Sequence, residues 1–173
     1  MSVTVEVRSF EAGDAVAVRE LFIKVNDQLA PPQLADAFKT YVATALRDEV
    51  DRIADYYAEK GGAFWVAVAK TKIVGMFGLE PSSATDAMEW RRMYVDPDAR
   101  RQGVARTMLL FAEGECRRRK IRQLDLSTSE VQSAALSLYR NCGYELVREE
   151  VSTVASNKKI GGGISRFHFS KRL

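Results

Sequence analysis

The stretch at residues 93–106, MYVDPDARRQGVAR, has residue types and spacing that can hold a phosphate group. An apolar strand end runs into the turn signal Asp96-Pro97-Asp98, and a basic loop containing Gly103 then opens onto a helical pattern. The first amides of a helix lack intrahelical partners, and the helix dipole favours an anion beside them. Gly103 lets the backbone approach a ligand closely. The loop has neither Gly-Lys-Ser/Thr nor G-x-G-x-x-G, so it is not a Walker A loop or a dinucleotide fingerprint.

Length, composition and charge limit the classes of protein to which the chain can belong. The 173 residues are 46% hydrophobic and 28% charged, which predicts one globular domain over residues 1–173. The net charge of +3 is too small to predict a nucleic-acid partner. Residues 1–86 hold 9 basic and 13 acidic side chains, whereas residues 87–173 hold 17 and 10. An anionic ligand in the second half fits this asymmetry, and so does a solvated basic surface.

The two cysteines and the N-terminus indicate the compartment. Cys116 and Cys142 lie in helical patterns without metal-ligand spacing, so we interpret them as buried reduced thiols and expect no metal site. No basic segment followed by an apolar run opens the chain, and no apolar run reaches the length of a membrane span. These features predict a cytoplasmic protein with no membrane partner.

Hydrophobic periodicity predicts the element order β-α-α-β-β-β-α-β-α-β-β. The fold class is therefore α/β with a mixed, mostly antiparallel sheet, because several strands follow one another directly. Gly75 and Gly78, both inside one strand, predict a bulge or a close backbone approach. Ser127-Thr128-Ser129 is expected to cap the last helix. Strands are expected at residues 3–7, 64–70, 73–79, 88–95, 121–126, 144–151 and 164–170, and helices at about 14–29, 34–59, 104–116 and 131–142.

Three features then stand together: the strand, loop and helix containing RRQGVA, the short strand LDLSTS with its polar exit, and the segment AALSLYRNCGYEL. In this combination the chain resembles the GNAT superfamily of acyl-CoA-dependent N-acyltransferases. RRQGVA fits the family's R/Q-x-x-G-x-G/A loop, and LYRNCGY fits its L-Y-x-x-x-G-F/Y motif. The resemblance implies one domain with a twisted central sheet of about seven strands flanked by about four helices.

The resemblance also implies acetyl-CoA as a co-substrate, lying where the strands at 88–95 and 121–126 splay apart. Backbone groups of the first strand would pair with the pantetheine arm, and the amides of the loop would cradle the pyrophosphate. Gln132 stands where the family often has an asparagine that contacts the cofactor. The residues implied to bind acetyl-CoA are Met93, Tyr94, Val95, Arg100, Arg101, Gln102, Gly103, Val104, Ala105, Arg106 and Gln132.

Two residues are candidates for proton transfer. Tyr139 matches the general-acid tyrosine of the family, and a phenol with a pKa of about 10 is protonated at neutral pH. The alternative is a structural core tyrosine. Glu89 matches the position of a basic glutamate in histone-acetyltransferase-like members, and parity places it on the same strand face as Arg91, Met93 and Val95. The alternatives are a solvent-facing glutamate paired with an arginine, and ordered water as the base.

Other titratable residues complete the set of candidates. Glu80, at the end of the third strand, is a second candidate base. His168, the only histidine, lies in the last strand, and we interpret it as structural. No cysteine stands in a nucleophile motif, so we expect direct attack of the amine on the thioester without a covalent acyl-enzyme.

The functional hypothesis is an N-acetyltransferase acting on a primary amine of a small molecule or a protein. The competing hypothesis is a non-catalytic acyl-CoA-binding or regulatory module on the same fold. The acidic N-terminal half is compatible with a cationic acceptor, and equally with a surface that has no such role. The resemblance also implies that the chain can form a homodimer.

Overall fold

The computed structural model describes residues 3–173, whose strands form a seven-stranded sheet in the order β1-β2-β3-β4-β5-β7-β6. All neighbours are antiparallel except β4 and β5. The predicted α/β class and mostly antiparallel sheet are confirmed. The strands are β1 (Val5–Ser9), β2 (Ala63–Ala69), β3 (Lys72–Pro81), β4 (Ala87–Val95), β5 (Gln123–Ser129), β6 (Glu145–Ser152) and β7 (Ile164–Arg172). The α-helices are α1 (Ala15–Leu29), α2 (Ala35–Asp48), α3 (Ile53–Lys60), α4 (Val104–Arg118) and α5 (Ser133–Asn141).

Helices cover both faces of the sheet and enclose two apolar cores. One core lies under α4 and α5 and contains an aromatic stack. The ring centroid of Phe77 lies 5.3 Å from that of Trp65 and 4.5 Å from that of Trp90. The other lies under α1, α2 and α3 and contains the fully buried Phe22 and Met76. Burial of this apolar surface is the main stabilising contribution. Among residues 3–173, no helix has the length and apolar character that crossing a membrane requires.

The single helix predicted at 34–59 is wrong, because the chain breaks there into α2 and α3. A 3₁₀ turn, Val50–Arg52, separates the two, and Glu49 leaves helical geometry at φ −142°. The break places the Glu49 carboxylate, which has no exposed surface, against β4. The tertiary ion pairs formed there outweigh the local helical preference. Gly61 then ends α3 in the left-handed conformation.

Two arginines of β4 hold the Glu49 carboxylate. Arg91 Nη1 lies 2.7 Å from its Oε1, and Arg92 Nε lies 2.8 Å from its Oε2. The Tyr57 hydroxyl donates a third bond at 2.9 Å. Burial would raise the pKa of Glu49, but the charges of Arg92 and Arg91 outweigh it and lower that pKa below its ordinary value. The carboxylate therefore stays ionised inside the protein.

A β-bulge in β4 allows consecutive arginines to point to the same side. Arg92 has a left-handed φ of +54°, and the pairing of β3 with β4 shifts register between Met76 and Gly78. A Cβ on Gly78 would lie 2.3 Å from the Tyr57 hydroxyl, so the predicted close approach is confirmed. The bulge also reverses the strand's parity. Met93 packs on the α4 side of the sheet, opposite to the Arg91 ion pairs.

The strand parity predicted for Glu89 is therefore only partly correct. Glu89 and Arg91 do share the side covered by α2 and α3, since Lys158 bridges Glu89 to the carboxylate that Arg91 also contacts. Met93 and Val95 lie on the opposite side. An inserted residue at a bulge changes which residues share a face, and nothing in the alternation of β4 signals it.

The expected helix cap at Ser127-Thr128-Ser129 is also wrong, because these residues belong to β5. They pair with His168, Phe167 and Arg166 of β7, which keeps their backbone extended. Gln132 takes the N-cap position of α5 instead. Pairing with a strand that lies about forty residues later leaves no local sequence signal, so the serines favour a cap on local grounds alone.

Substitution of Glu49 by alanine tests the buried ion pairs. It leaves two buried guanidinium groups without their shared anion, so we expect the free energy of unfolding to fall by about 3–5 kcal/mol. Urea unfolding of Glu49→Ala measures this loss. The matched control is Asp48→Ala, which removes a half-exposed partner of Arg47 and should lower stability far less than Glu49→Ala does. Equal effects of the two substitutions would contradict the role given to Glu49.

Candidate active site between two diverging strands

The parallel pairing of β4 with β5 ends at Trp90 and Leu126, and the strands diverge beyond that point. Two connected cavities occupy the gap. The long groove, of about 610 Å³, runs between the end of β4, the N-terminus of α4 and the N-terminus of α5. The inner cavity, of about 60 Å³, lies deeper, toward β7 and the segment before it. The two share the wall residues Leu29, Met93, Tyr94, Val131 and Gln132.

The loop that leads from β4 to α4 is anchored by Asp96. Its carboxylate accepts the Asp98 N–H at 3.0 Å and pairs with Lys24 at 3.1 Å and Lys72 at 3.0 Å. Burial opposes ionisation, but the Asp98 N–H bond and the two lysines outweigh it and lower the pKa of Asp96 to about 2. Asp96 therefore remains a charged anchor at the start of the loop.

The N-terminus of α4 presents its amides to the long groove. The first intrahelical bond runs from the Thr107 N–H to the Gly103 carbonyl at 2.9 Å, so the amides of Val104, Ala105 and Arg106 have no helical acceptor. Gly103 has φ +78° and open space around its Cα, so the glycine serves the backbone conformation. This geometry suits an anion.

All but one of the predicted residues of the loop line the groove. Arg100, Arg101 and Arg106 are exposed there and form no ion pair with any residue in 3–173. Gln102 is the exception, because its side chain turns back to the Asp98 carbonyl at 3.4 Å. Met93, Tyr94, Val95 and Gln132 also line the groove. Thr128 donates to the Gln132 Oε1 at 3.0 Å, which leaves the Gln132 amide N–H groups free to donate.

Tyr139 and Glu89, the two candidates for proton transfer, both lie in the wall of the inner cavity. Tyr139 is only 2% exposed, and burial raises the pKa of its hydroxyl well above the ordinary value. The Trp90 indole N–H and the Arg166 charge oppose part of that rise. The indole N–H itself has no acceptor within hydrogen-bond distance among the described residues.

Glu89 is the one carboxylate, within the part of the chain that the structure describes, that lines either cavity. Its side chain is 24% exposed and pairs with Lys158 at 3.1 Å. Glu80, the other candidate base, lies outside both cavities and is held by Tyr56 at 2.8 Å and Lys158 at 2.7 Å. His168 also lies outside them and contacts Glu150 at 2.7 Å, in agreement with a structural role.

The two cysteines lie outside both cavities. Both are free thiols, Cys116 is fully buried in the core under α4, and neither lines a cavity. Burial raises the pKa of Cys116 to about 11, so its thiol stays protonated at neutral pH. Trp90 and Arg166 are among the residues of the inner cavity that the sequence does not predict. No local pattern links them, because β4 and β7 meet β5 only in the folded sheet.

Comparison with known proteins identifies relatives of the chain. The family described as "Acetyltransferase (GNAT) domain" matches residues 60–146. Probable N-acetyltransferase 14 of Xenopus tropicalis is 35% identical over 99 residues, which are 57% of this chain and 48% of that protein. The chain thus spans about half the length of the curated relatives it matches.

Solved structures with similar folds cover almost the whole chain. The structure of a GNAT-family acetyltransferase from Staphylococcus aureus Mu50 has a TM-score of 0.75 at 18% identity and covers 98% of this chain and 99% of that one. The structure of the PaiA N-acetyltransferase from Thermoplasma acidophilum in complex with coenzyme A has a TM-score of 0.68 at 16% identity, covering 98% and 99%. At these identities the likeness concerns the fold.

Substitution of Asp96 tests the anchor of the loop. Asp96→Ala removes the acceptor of the Asp98 N–H and both lysine pairs, so we expect a loss of about 1–2 kcal/mol in the free energy of unfolding at pH 7. A lowered pKa in the folded protein stabilises it above the unfolded pKa of about 3.9, and this contribution disappears as the pH falls toward 2.

The difference between wild type and Asp96→Ala should therefore shrink between about pH 4 and pH 2 in urea unfolding experiments. Asp96→Asn is the control, because it keeps an acceptor for the Asp98 N–H but cannot ionise. Its difference from the alanine variant should not change with pH. A wild-type advantage that is constant down to pH 2 would show that Asp96 does not act through its charge.

Proposed function

The chain belongs to the GNAT acetyltransferase family, and from that premise we propose that it transfers an acetyl group from acetyl-CoA to a primary amine. The proposal is carried by one observation: Tyr139 and Glu89 line a small cavity that opens into a groove ending at the free amides of α4. A proton donor, a proton acceptor and an anion site thus lie along one continuous path. Cofactor binding alone would not require the first two.

The long groove fits the parts of acetyl-CoA. The amides of Val104, Ala105 and Arg106 suit the pyrophosphate, and the exposed Arg100 and Arg101 add positive charge beside it. Toward the inner cavity the groove is walled by apolar residues and by the edge of β4 that faces β5, which has no strand partner beyond Trp90. That open edge can pair with the amides of the pantetheine arm. One fold relative is described as a complex with coenzyme A, which supports this assignment.

The proposed reaction is direct attack of the amine on the thioester. Glu89, through water or by direct contact, takes a proton from the ammonium, and the nitrogen then attacks the carbonyl carbon. The C–N bond forms and the C–S bond breaks. The Tyr139 hydroxyl gives its proton to the departing sulfur, and the second proton lost from the nitrogen restores the hydroxyl through solvent. The products are the N-acetyl amine and the free thiol of coenzyme A.

The surroundings of Tyr139 suit this role. Burial keeps the hydroxyl protonated until sulfur charge develops beside it. The phenolate left after proton transfer is then stabilised by the Trp90 N–H, which has no other acceptor among residues 3–173, and by the Arg166 charge.

We also propose, from the sequence, a cytoplasmic location and a homodimer.

Substitution of Tyr139 by phenylalanine tests the proton donor. We expect kcat for a reactive amine to fall by about 10²-fold or more, with the Kd for acetyl-CoA unchanged, because only the hydroxyl is removed. Thiol release measures kcat, and calorimetric titration measures binding. The control is Tyr144→Phe, whose hydroxyl bonds Glu113 at 3.0 Å outside both cavities and should leave kcat near the wild-type value.

Two results would overturn the proposal in different ways. Full activity of Tyr139→Phe would remove Tyr139 from the mechanism while leaving acetyl transfer intact. Tight acetyl-CoA binding by the wild type without turnover of any amine in a broad panel would identify a non-catalytic acyl-CoA-binding module.

The pH dependence of the rate tests Glu89. Glu89→Gln should lower kcat/KM by about 10²-fold near neutral pH, because the acceptor amine stays protonated. The deficit should shrink at high pH, where the amine loses its proton without help. Glu145→Gln, at an exposed position of β6, is the control. A loss that is independent of pH would exclude Glu89 as the base and leave that role to water.

A further inference from the structure

Arg166 of β7 is a cation in the wall of the inner cavity that lacks an ionic partner. Its Nε and Nη2 lie 3.1 Å and 2.9 Å from the Ser127 hydroxyl, a neutral group. No carboxylate among residues 3–173 lies within ion-pair distance of it. Its Nη1 has no hydrogen-bond acceptor in the same part of the chain.

The other charges around the inner cavity balance one another. Arg91 and Arg92 share Glu49, and Lys158 bridges two further carboxylates at 2.7 Å and 3.1 Å. Three anions thus face three cations, and Arg166 is the surplus positive charge. The balanced set consists of Glu49, Glu80, Glu89, Arg91, Arg92 and Lys158.

This surplus charge lies on a side chain that is only partly exposed. Burial and the positive charge of Arg92 lower the pKa of Arg166, yet a guanidinium does not lose its proton at neutral pH. An unpaired guanidinium facing a cavity is stabilised by an arriving anion, and the planar fork matches a carboxylate with two parallel hydrogen bonds. With one side of the fork held by Ser127, Nη1 and the remaining Nη2 proton are available for those bonds.

Resting on the proposed acetyl transfer, we propose that Arg166 binds a carboxylate of the acceptor, and that the acceptor is therefore a free amino acid. Glu89 supplies the negative end of the same cavity, so an ammonium and a carboxylate on one small molecule meet opposite charges. Because Glu89 and Arg166 line the same small cavity, the two groups are expected on one small molecule. A polyamine, an aminoglycoside or a lysine side chain offers no carboxylate to Arg166.

The acidic N-terminal half is compatible with a cationic acceptor, but near the inner cavity its carboxylates pair with cations of the protein itself. Two of its carboxylates, Glu49 and Glu80, are buried and bound by Arg91, Arg92 and Lys158 from the basic half. Their charge is therefore neutralised inside the protein and does not reach the acceptor. The net charge around the cavity is positive, with Arg166 as the surplus cation, and Glu89 presents a carboxylate to the same cavity.

Matched substrates test the proposal. Acetyl transfer to a panel of amino acids and to the corresponding amino acid amides would be measured for wild type, Arg166→Gln and Arg166→Lys. For the wild type we expect kcat/KM to favour the carboxylate form by about 10- to 100-fold, which Arg166→Gln abolishes and Arg166→Lys retains in part. Because the Arg166 charge also acts on Tyr139, Arg166→Gln should slow both substrate forms, but it should slow the carboxylate form about 10- to 100-fold more than the amide. Arg172→Gln, on the same strand outside both cavities, should keep the wild-type preference.

Equal slowing of both substrate forms in Arg166→Gln, or no preference in the wild type, would overturn the proposal. The first result would indicate that Arg166 acts on the departing sulfur or on Tyr139. Turnover only of amines without a carboxylate would leave acetyl transfer intact and reject the amino acid acceptor. Thermal unfolding of each variant excludes loss of fold, and Arg166→Lys keeps the comparison available if the glutamine variant does not fold.

A binding measurement separates this proposal from acetyl transfer itself. N-acetylalanine and N-acetylalaninamide would be titrated into the protein with coenzyme A present. We expect the carboxylate form to bind at least about 10-fold more tightly to the wild type and no tighter than the amide to Arg166→Gln. That result without any turnover would reject the enzymatic proposal while retaining the carboxylate site, and equal binding of both forms to the wild type would reject the site.

Discussion

The ion pairs of Glu49 with Arg91 and Arg92 are the interaction on which the rest of the structure depends. They fasten the junction of α2 and α3 to the middle of β4. They also hold Arg92 at a positive φ, a conformation that costs about 1–2 kcal/mol for a residue with a side chain. The bulge thus stabilised lies at Arg92, two residues beyond Trp90, the last β4 residue that pairs with β5. A buried carboxylate at a distant helix junction therefore contributes to the geometry of β4 beside the two cavities.

Much of the fold follows from local patterns in the sequence. Strand alternation, helical stripes and glycines at turns predict the element order and the mostly antiparallel sheet, because each pattern spans only a few residues. The three predictions that the structure corrects share one cause. The break at Glu49, the parity change at Arg92 and the extended Ser127–Ser129 segment are all set by partners elsewhere in the sheet. Local propensity gives no information about such contacts.

The candidate site likewise has one part that the sequence predicts and another that only the folded sheet brings together. The candidate anion-binding loop and Tyr139 lie within short motifs whose spacing is visible in the sequence, and the structure brings them to two adjacent cavities. Gln102 departs from the expectation because a hydrogen bond within the loop holds its side chain. Trp90 and Arg166 come from β4 and β7, and only the order of strands in the sheet brings them to the same cavity. Their proximity is a property of topology and not of spacing.

The stack of Trp65, Phe77 and Trp90 has a spectroscopic consequence. These two tryptophans are the only ones in the chain, and they flank the same phenylalanine at 5.3 Å and 4.5 Å. Trp65 packs in the core, whereas Trp90 also borders the inner cavity, and its indole N–H has no acceptor among residues 3–173. A molecule that enters the cavity changes the polarity around one indole, while the emission of the other stays constant. The protein therefore carries an intrinsic fluorophore in the wall of the inner cavity.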